Sequence, residues 1–151
     1  AVRPAIVTGE VDVRVGLPHL PEERRELWDE RIAEAEEPTP VMFRRNGWVV
    51  GAFQAAWSAV SQITPIPEGK FAQRDALVAA LEAAARAGYD TDTVTCITGS
   101  LLGAALGYKA VPPEWRRTLF GWPGYDLAEL KGLVERVIAP MVEMADEGVG
   151  A

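Results

Sequence analysis

From Pro21 to about Ala139, apolar residues recur at spacings of three and four, and prolines and glycines cut the pattern into separate segments. That period belongs to helices with one buried face, not to strands. The first segment, about Pro21 to Glu36, opens with Pro21, Glu22 and Glu23, which suit a helix N-terminus. Its apolar face is Leu27, Trp28, Ile32 and Ala35, and Pro38 and Pro40 end it. The second, about Trp48 to Ser61, carries Val49, Val50, Phe53, Ala56, Trp57 and Val60. So wide a stripe predicts a largely buried helix. Thr64 to Gly69 reads as a loop. A third helix, about Lys70 to Ala87, ends at Gly88, a natural left-handed C′ residue. A fourth runs from near Asp92 to Gly107. Pro112-Pro113-Glu114 opens a short helical turn through Trp115, Gly121 to Tyr125 is a loop, and Asp126 caps a last helix from Leu127 to about Ala139. Only Val11, Val13 and Val15 alternate as a strand would, and they have no pairing partner. The reading is all-α: an irregular lead-in over 1–20, a helical body over 21–145 and a small, polar, fraying tail over 146–151.

A length of 151 residues suits a single domain able to build a core without staples. Fifteen basic against 22 acidic residues give a net charge of −7. No nucleic-acid surface is expected from that balance. One cysteine, Cys96, excludes an internal disulfide framework, and one histidine, His19, excludes paired-histidine metal motifs. The longest apolar-leaning stretch, Val94 to Tyr108, is shorter than the ~20 residues that cross a bilayer. No membrane association is expected, and the cytoplasm is the expected compartment.

The chemistry concentrates in Gly88-Tyr89-Asp90-Thr91-Asp92-Thr93, where a turn enters the fourth helix. Two readings stay open. One carboxylate caps the helix and the other complements its dipole. Alternatively, carboxylates at i and i+2 with a hydroxyl at i+3 converge on a hard divalent cation, which takes oxygen ligands and keeps several waters. Two aspartates are too few for a complete site, so further ligands come from water, substrate or residues elsewhere. Gly99, Gly103 and Gly107 then form a smooth stripe, expected to serve close helix packing. The stripe is no phosphate loop, because Gly107-Tyr108-Lys109 lacks the Gly-Lys-Ser/Thr ending and follows a helix.

The Gly88–Thr93 run, the small-residue helix after it, Tyr108 and Val111-Pro112-Pro113-Glu114-Trp115 resemble the C-terminal half of the ADP-ribosylglycohydrolases. Asn46-Gly47-Trp48-Val49-Val50, with Ala55-Ala56-Trp57, is similar to the family helix that precedes this motif. The resemblance covers roughly residues 44–120. It implies a compact multi-helix orthogonal bundle with two Mg²⁺ or Mn²⁺ ions at its centre. The implied metal ligands are Asp90, Asp92 and Thr93, with Asp92 bridging the ions. The implied reaction is hydrolysis of the glycosidic bond at the ribose carbon of an ADP-ribosylated side chain or small adduct. The family's other ligands and its main acid/base carboxylate belong to an N-terminal half with no counterpart before residue 44. The chain therefore reads as the C-terminal part of a longer or split enzyme, with that missing half or a complementary subunit as its partner.

Gly88, Tyr89 and Trp48 are the candidate substrate-binding residues. Trp48 also reads as packing at a helix start, the reading its position favours. Trp28, Trp57 and Trp115 are expected in cores, Cys96 as a buried small hydrophobe, and His19 in an exposed loop. The Glu-rich run from Glu22 to Glu37, interleaved with Arg24, Arg25 and Arg31, reads as a solvated face with i,i+4 pairs. Arg44-Arg45 reads as surface charge that could meet a diphosphate. Two rival functions remain: a non-catalytic module that grips ADP-ribose or a partner, and a helical interaction domain whose aspartates only cap a helix.

Overall fold

In a computed structural model, residues 2–37, 43 and 45–148 are described, with 141–148 described by backbone path alone. The chain divides into two compact units, one ending at Val111 and the other beginning at Pro112. Its helices are α1 (Val2–Thr8), α2 (Glu22–Glu36), α3 (Val49–Ser61), α4 (Lys70–Arg86), α5 (Thr91–Leu106), α6 (Pro113–Thr118) and α7 (Leu127–Gly148). Short 3₁₀ turns cover Arg14–His19 and Tyr108–Ala110. The architecture is all-α apart from one small hairpin, β1 (Phe120–Gly121) and β2 (Tyr125–Asp126). Among the described residues no helix is long and apolar enough to cross a membrane.

In the first unit α5 is the central element. It packs on α1, α3 and α4, while α2 packs on α3. Helix α3 buries Val50, Ala52, Ala55, Ala56, Trp57, Ala59 and Val60, as its wide stripe predicts. Its alanines let neighbours approach closely. Val60, Leu102 and Val94 are fully buried at the centre, each burial stabilising by roughly 1.5–3 kcal/mol. Thr98 is also fully buried, and its hydroxyl donates to the Val94 carbonyl at 2.9 Å, so the polar group is satisfied.

The lead-in is not irregular. Val2–Thr8 is helical, and the alternating valines form no strand. Val11 and Val13 are buried because the 3₁₀ turn after them folds back onto α2. Arg14 fixes that fold. Its Nε donates to Asp29 at 2.8 Å, and its two terminal nitrogens donate to both oxygens of Glu36 at 2.6 and 2.9 Å. Trp57 Nε1 donates to Glu36 from α3 at 3.0 Å. A bidentate guanidinium–carboxylate pair is a strong, directional clamp. It raises Arg14 above its ordinary value, chiefly through Glu36. It holds Glu36 below its ordinary value, first through Arg14 and then through Trp57, against the opposing effect of burial.

In the second unit, Phe120 pairs with Asp126 and Gly121 with Tyr125 across the hairpin where a loop was expected. Asp126 and Glu129 form a reciprocal capping box. The Glu129 amide donates to Asp126 Oδ1 and the Asp126 amide to Glu129 Oε2, both at 2.9 Å. Helix α7 runs through Pro140 to Gly148, past the expected end at Ala139. A proline interrupts one helical hydrogen bond but does not by itself end the helix. Pro38, Pro40, Arg44 and the last three residues of the expected tail lie outside the described residues.

Candidate functional site

Helix α4 ends at Gly88, whose φ of +74° is the left-handed C′ conformation its sequence predicts. Tyr89 follows at φ +58°, a conformation uncommon for a bulky side chain. Two successive residues in this region reverse the chain so that Asp90 opens α5. One side chain locks the reversal. Asn46 is fully buried, donates from Nδ2 to the Gly88 carbonyl at 2.9 Å and accepts from the Asp90 amide at 3.0 Å through Oδ1. Its amide thus behaves as a strand-like partner for the 88–90 turn. Sequence reasoning placed Asn46 only in the run before α3. An Asn-Gly pair between helices looks like an ordinary turn, and no local signal shows that its amide reaches 42 residues along the chain.

The clamp places the two aspartates. Asp90 is half-buried and Asp92 is exposed in the first turn of α5. Asp90 is the N-cap residue, yet its side chain makes no capping hydrogen bond. Hydrogen bonding with Asp90, then with the backbone amides of Asp92 and Thr93, holds the Asp92 carboxyl below its ordinary value. The capping reading therefore accounts for Asp92, which serves the orphan amides of the first turn, and not for Asp90.

The pair meets the chemistry of Mg²⁺ or Mn²⁺ in one respect: two carboxyl groups, hard oxygen donors, lie beside each other at the head of α5. Asp90, Asp92 and the exposed Thr93 hydroxyl could contribute to such a site. Among the described residues no group of three or more His, Cys, Asp or Glu is placed to hold a metal. A metal site here would need further donors. Clefts of about 400 Å³ lie elsewhere, one lined by Phe43, Ser58, Ala59, Ala83 and Arg86 and another by Val13, Phe53, Cys96 and Leu101. The carboxylates sit where a helix begins at the surface, because α5 starts at the end of the bundle and only its middle is buried.

Tyr89 and Trp48 are 72% and 56% exposed, so neither ring is committed to the core. For Trp48 this corrects the packing reading. The helix-start packing passes to Val50, two residues further on, while Trp48 stays outside as the N-cap. A side chain at position 47 would start 3.9 Å from Asp90 Oδ2, so Gly47 keeps the neighbourhood of that carboxylate open. The Trp48 ring lies beside it along the chain. The Arg31 guanidinium sits 5.6 Å from its centroid and 5.4 Å from that of Trp28.

Three other expectations change. Cys96 is exposed, because it lies on the rim of the cleft beside Phe53 and not under it. Trp115 is exposed on the short α6, and Trp28 is half-buried; Trp57 is the buried tryptophan of the three. The glycine stripe is not a packing surface along its length. A Cβ at Gly99 would meet Leu81 at 3.6 Å, one at Gly103 would meet nothing within 4 Å, and Gly107 is the C-cap at φ +70°. The close backbone approach is at Gly51, where a Cβ would lie 2.5 Å from the Arg45 carbonyl oxygen.

An all-helical bundle that presents a clamped Gly-Tyr-Asp-Thr-Asp-Thr turn at the head of its central helix is of the ADP-ribosylglycohydrolase type. The ADP-ribosylglycohydrolase family model matches residues 2–146, and the chain belongs to that family. The match takes in the lead-in and α7, well beyond the 44–120 stretch that carried the resemblance. No curated protein and no solved structure matches the chain.

Proposed function

We propose that this chain contributes to metal-dependent hydrolysis of the glycosidic bond of ADP-ribosylated side chains or small ADP-ribosyl adducts, supplying the C-terminal half of the site. The observation that carries this reading is the placing of Asp90 and Asp92 side by side at the head of α5, on a turn clamped by a buried asparagine. Asp90, Asp92 and Thr93 would hold Mg²⁺ or Mn²⁺, with two ions in the complete site. An ion held by these residues would supply Lewis-acid orientation of ribose hydroxyls and a water. Asn46 holds the backbone of Asp90 and so aims its carboxylate. A carboxylate close to the reacting carbon also stabilises oxocarbenium-like charge. Trp48 and Tyr89 offer open aromatic faces to the base or ribose of the substrate. The main acid/base group and the remaining ligands come from the N-terminal half or a complementary subunit, with water and substrate completing the shell.

A second reading has its own support. The small number of acidic groups gathered among the described residues suits a module that grips ADP-ribose without cleaving it. One calorimetric experiment addresses both. Mn²⁺ is titrated into the protein and into Asp92→Ala, with and without ADP-ribose. Binding that vanishes in Asp92→Ala and tightens with ADP-ribose is expected. ADP-ribose binding that ignores both Mn²⁺ and Asp92 would support the non-catalytic module. Identical Mn²⁺ isotherms for the two proteins would remove the metal-site reading for this chain.

A further inference from the structure

Arg31 is the charged residue of α2 whose guanidinium lies over aromatic rings. The interleaving of Glu and Arg on α2, with Glu34 three residues on, predicts that it spends its charge on a neighbouring carboxylate. It does not. Among the described residues its guanidinium makes no hydrogen bond and no ion pair, and it lies between the indoles of Trp28 and Trp48. The contrast is Arg74, which also lies over a ring, Phe71, but gives its donors to Asp75. Glu34, the nearest acidic residue one turn along, is taken by Gln54, which donates to it at 2.9 Å and to the Arg31 carbonyl at 3.1 Å. The backbone of Arg31 is therefore tied to α3, its side chain is half-buried beside two rings, and among the described residues its planar set of N–H donors has no acceptor. A stacked guanidinium keeps its donor edge open for a bidentate oxyanion. The second ring of the stack, Trp48, adjoins Gly47, which borders the Asp90 carboxylate.

We infer that Arg31, held between Trp28 and Trp48, is an oxyanion-binding residue that receives the diphosphate of an ADP-ribosyl ligand. The assignment rests on the hydrolytic reading above for its ligand, and on the uncommitted guanidinium for its chemistry. An anion next to the acidic pair needs a local positive charge in a chain of net charge −7, and Arg31 carries one 5.6 Å from the Trp48 ring centroid. The role is to bind and orient, with no part in bond breaking.

The test uses the whole chain and three probes: inorganic pyrophosphate, ADP-ribose and Mn²⁺. Arg31→Met keeps an unbranched stem between the indoles and removes every donor; Arg31→Lys keeps the charge and loses the fork. Circular dichroism checks both for folding. Losing a charge-assisted pair of hydrogen bonds should weaken pyrophosphate and ADP-ribose about tenfold or more in Arg31→Met. Arg31→Lys should fall between it and the parent and still reports if the methionine variant does not fold. Mn²⁺ uptake should keep its parent affinity in both. Equal pyrophosphate and ADP-ribose affinity in the parent and the folded Arg31 variants overturns the assignment, and so does a parent protein that binds neither. Arg31-dependent pyrophosphate binding together with Mn²⁺ uptake indifferent to Asp92 leaves the oxyanion site standing and removes the hydrolytic reading instead.

Discussion

Asn46→Ala would leave the Gly88 carbonyl and the Asp90 amide without their side-chain partner in a region where Asn46 itself is fully buried. Buried polar groups left unpaired cost about 1–3 kcal/mol. Urea unfolding should show that loss. Mn²⁺ affinity should fall as well, although Asn46 is not a candidate ligand, because the Asp90 backbone is no longer held. Asn46→Asp is the sharper variant. It keeps the acceptor for the Asp90 amide but turns the donor facing the Gly88 carbonyl into a second oxygen. It should be at least as damaging as alanine. Parent-like stability in both variants would show that the turn holds itself. Gly51 poses a steric question at the same scale. A methyl group there meets the Arg45 carbonyl at 2.5 Å, and backbone cannot swing aside as a flexible side chain can. Gly51→Ala should therefore destabilise by about 1–3 kcal/mol in denaturant unfolding, as overpacking does.

At the scale of elements, α5 shows how a pattern can be read correctly and explained wrongly. Gly99, Gly103 and Gly107 invite a packing argument, and the helix they sit on is indeed central. Yet Gly107 ends the helix and Gly103 has open space where a Cβ would go. Gly103→Ala should stabilise, by about 0.4–1 kcal/mol, since alanine restricts the unfolded chain and clashes with nothing. A loss of stability in a thermal melt would restore the packing explanation. The clamp joining the Arg14–His19 turn to α2 and α3 gives a pH prediction. Glu36 is held below its ordinary value of 4.5. Its contribution is thus present above the unfolded value and is lost as pH falls through the lower folded value. Glu36→Gln should cost about 1–2 kcal/mol near neutrality. Its stability should then change less than the parent's as pH drops below 4.5. Parallel profiles for the two proteins would place the acid sensitivity elsewhere. The helices themselves were legible because period, proline and glycine act locally. Their bounds in α2 through α5 fall within a residue or so of the pattern. The Arg14 clamp was not legible, since nothing local pairs residue 14 with residue 36.

At the scale of the whole molecule, the same division separates what the sequence carries from what it does not. Asp90, Asp92 and Thr93 stand out because oxygen donors crowd a helix start, and the family match extends that reading over most of the chain. The surface position of the pair, the Asn46 clamp and the stacked Arg31 depend on contacts between α2, the 45–48 turn and α5 that no single segment encodes. The net charge of −7 adds a complication of its own. Any divalent cation is drawn diffusely to such a chain, so weak Mn²⁺ uptake alone says little. Salt separates the two contributions, because diffuse attraction is screened within about 10 Å at 0.1 M ionic strength whereas direct coordination persists. Stability reads the coordinated ion. At a hundred times its dissociation constant, an ion bound to the native state alone adds about 2.7 kcal/mol. For a chain near this size that raises the melting temperature by roughly 5–10 °C. Scanning calorimetry at 0.1 M salt should show such a rise for the parent protein and not for Asp92→Ala. If the two units melt separately, the rise should belong to the unit that contains α5. Equal rises in both proteins would mean that Mn²⁺ acts through the charge of the whole molecule and that Asp90 and Asp92 hold no ion.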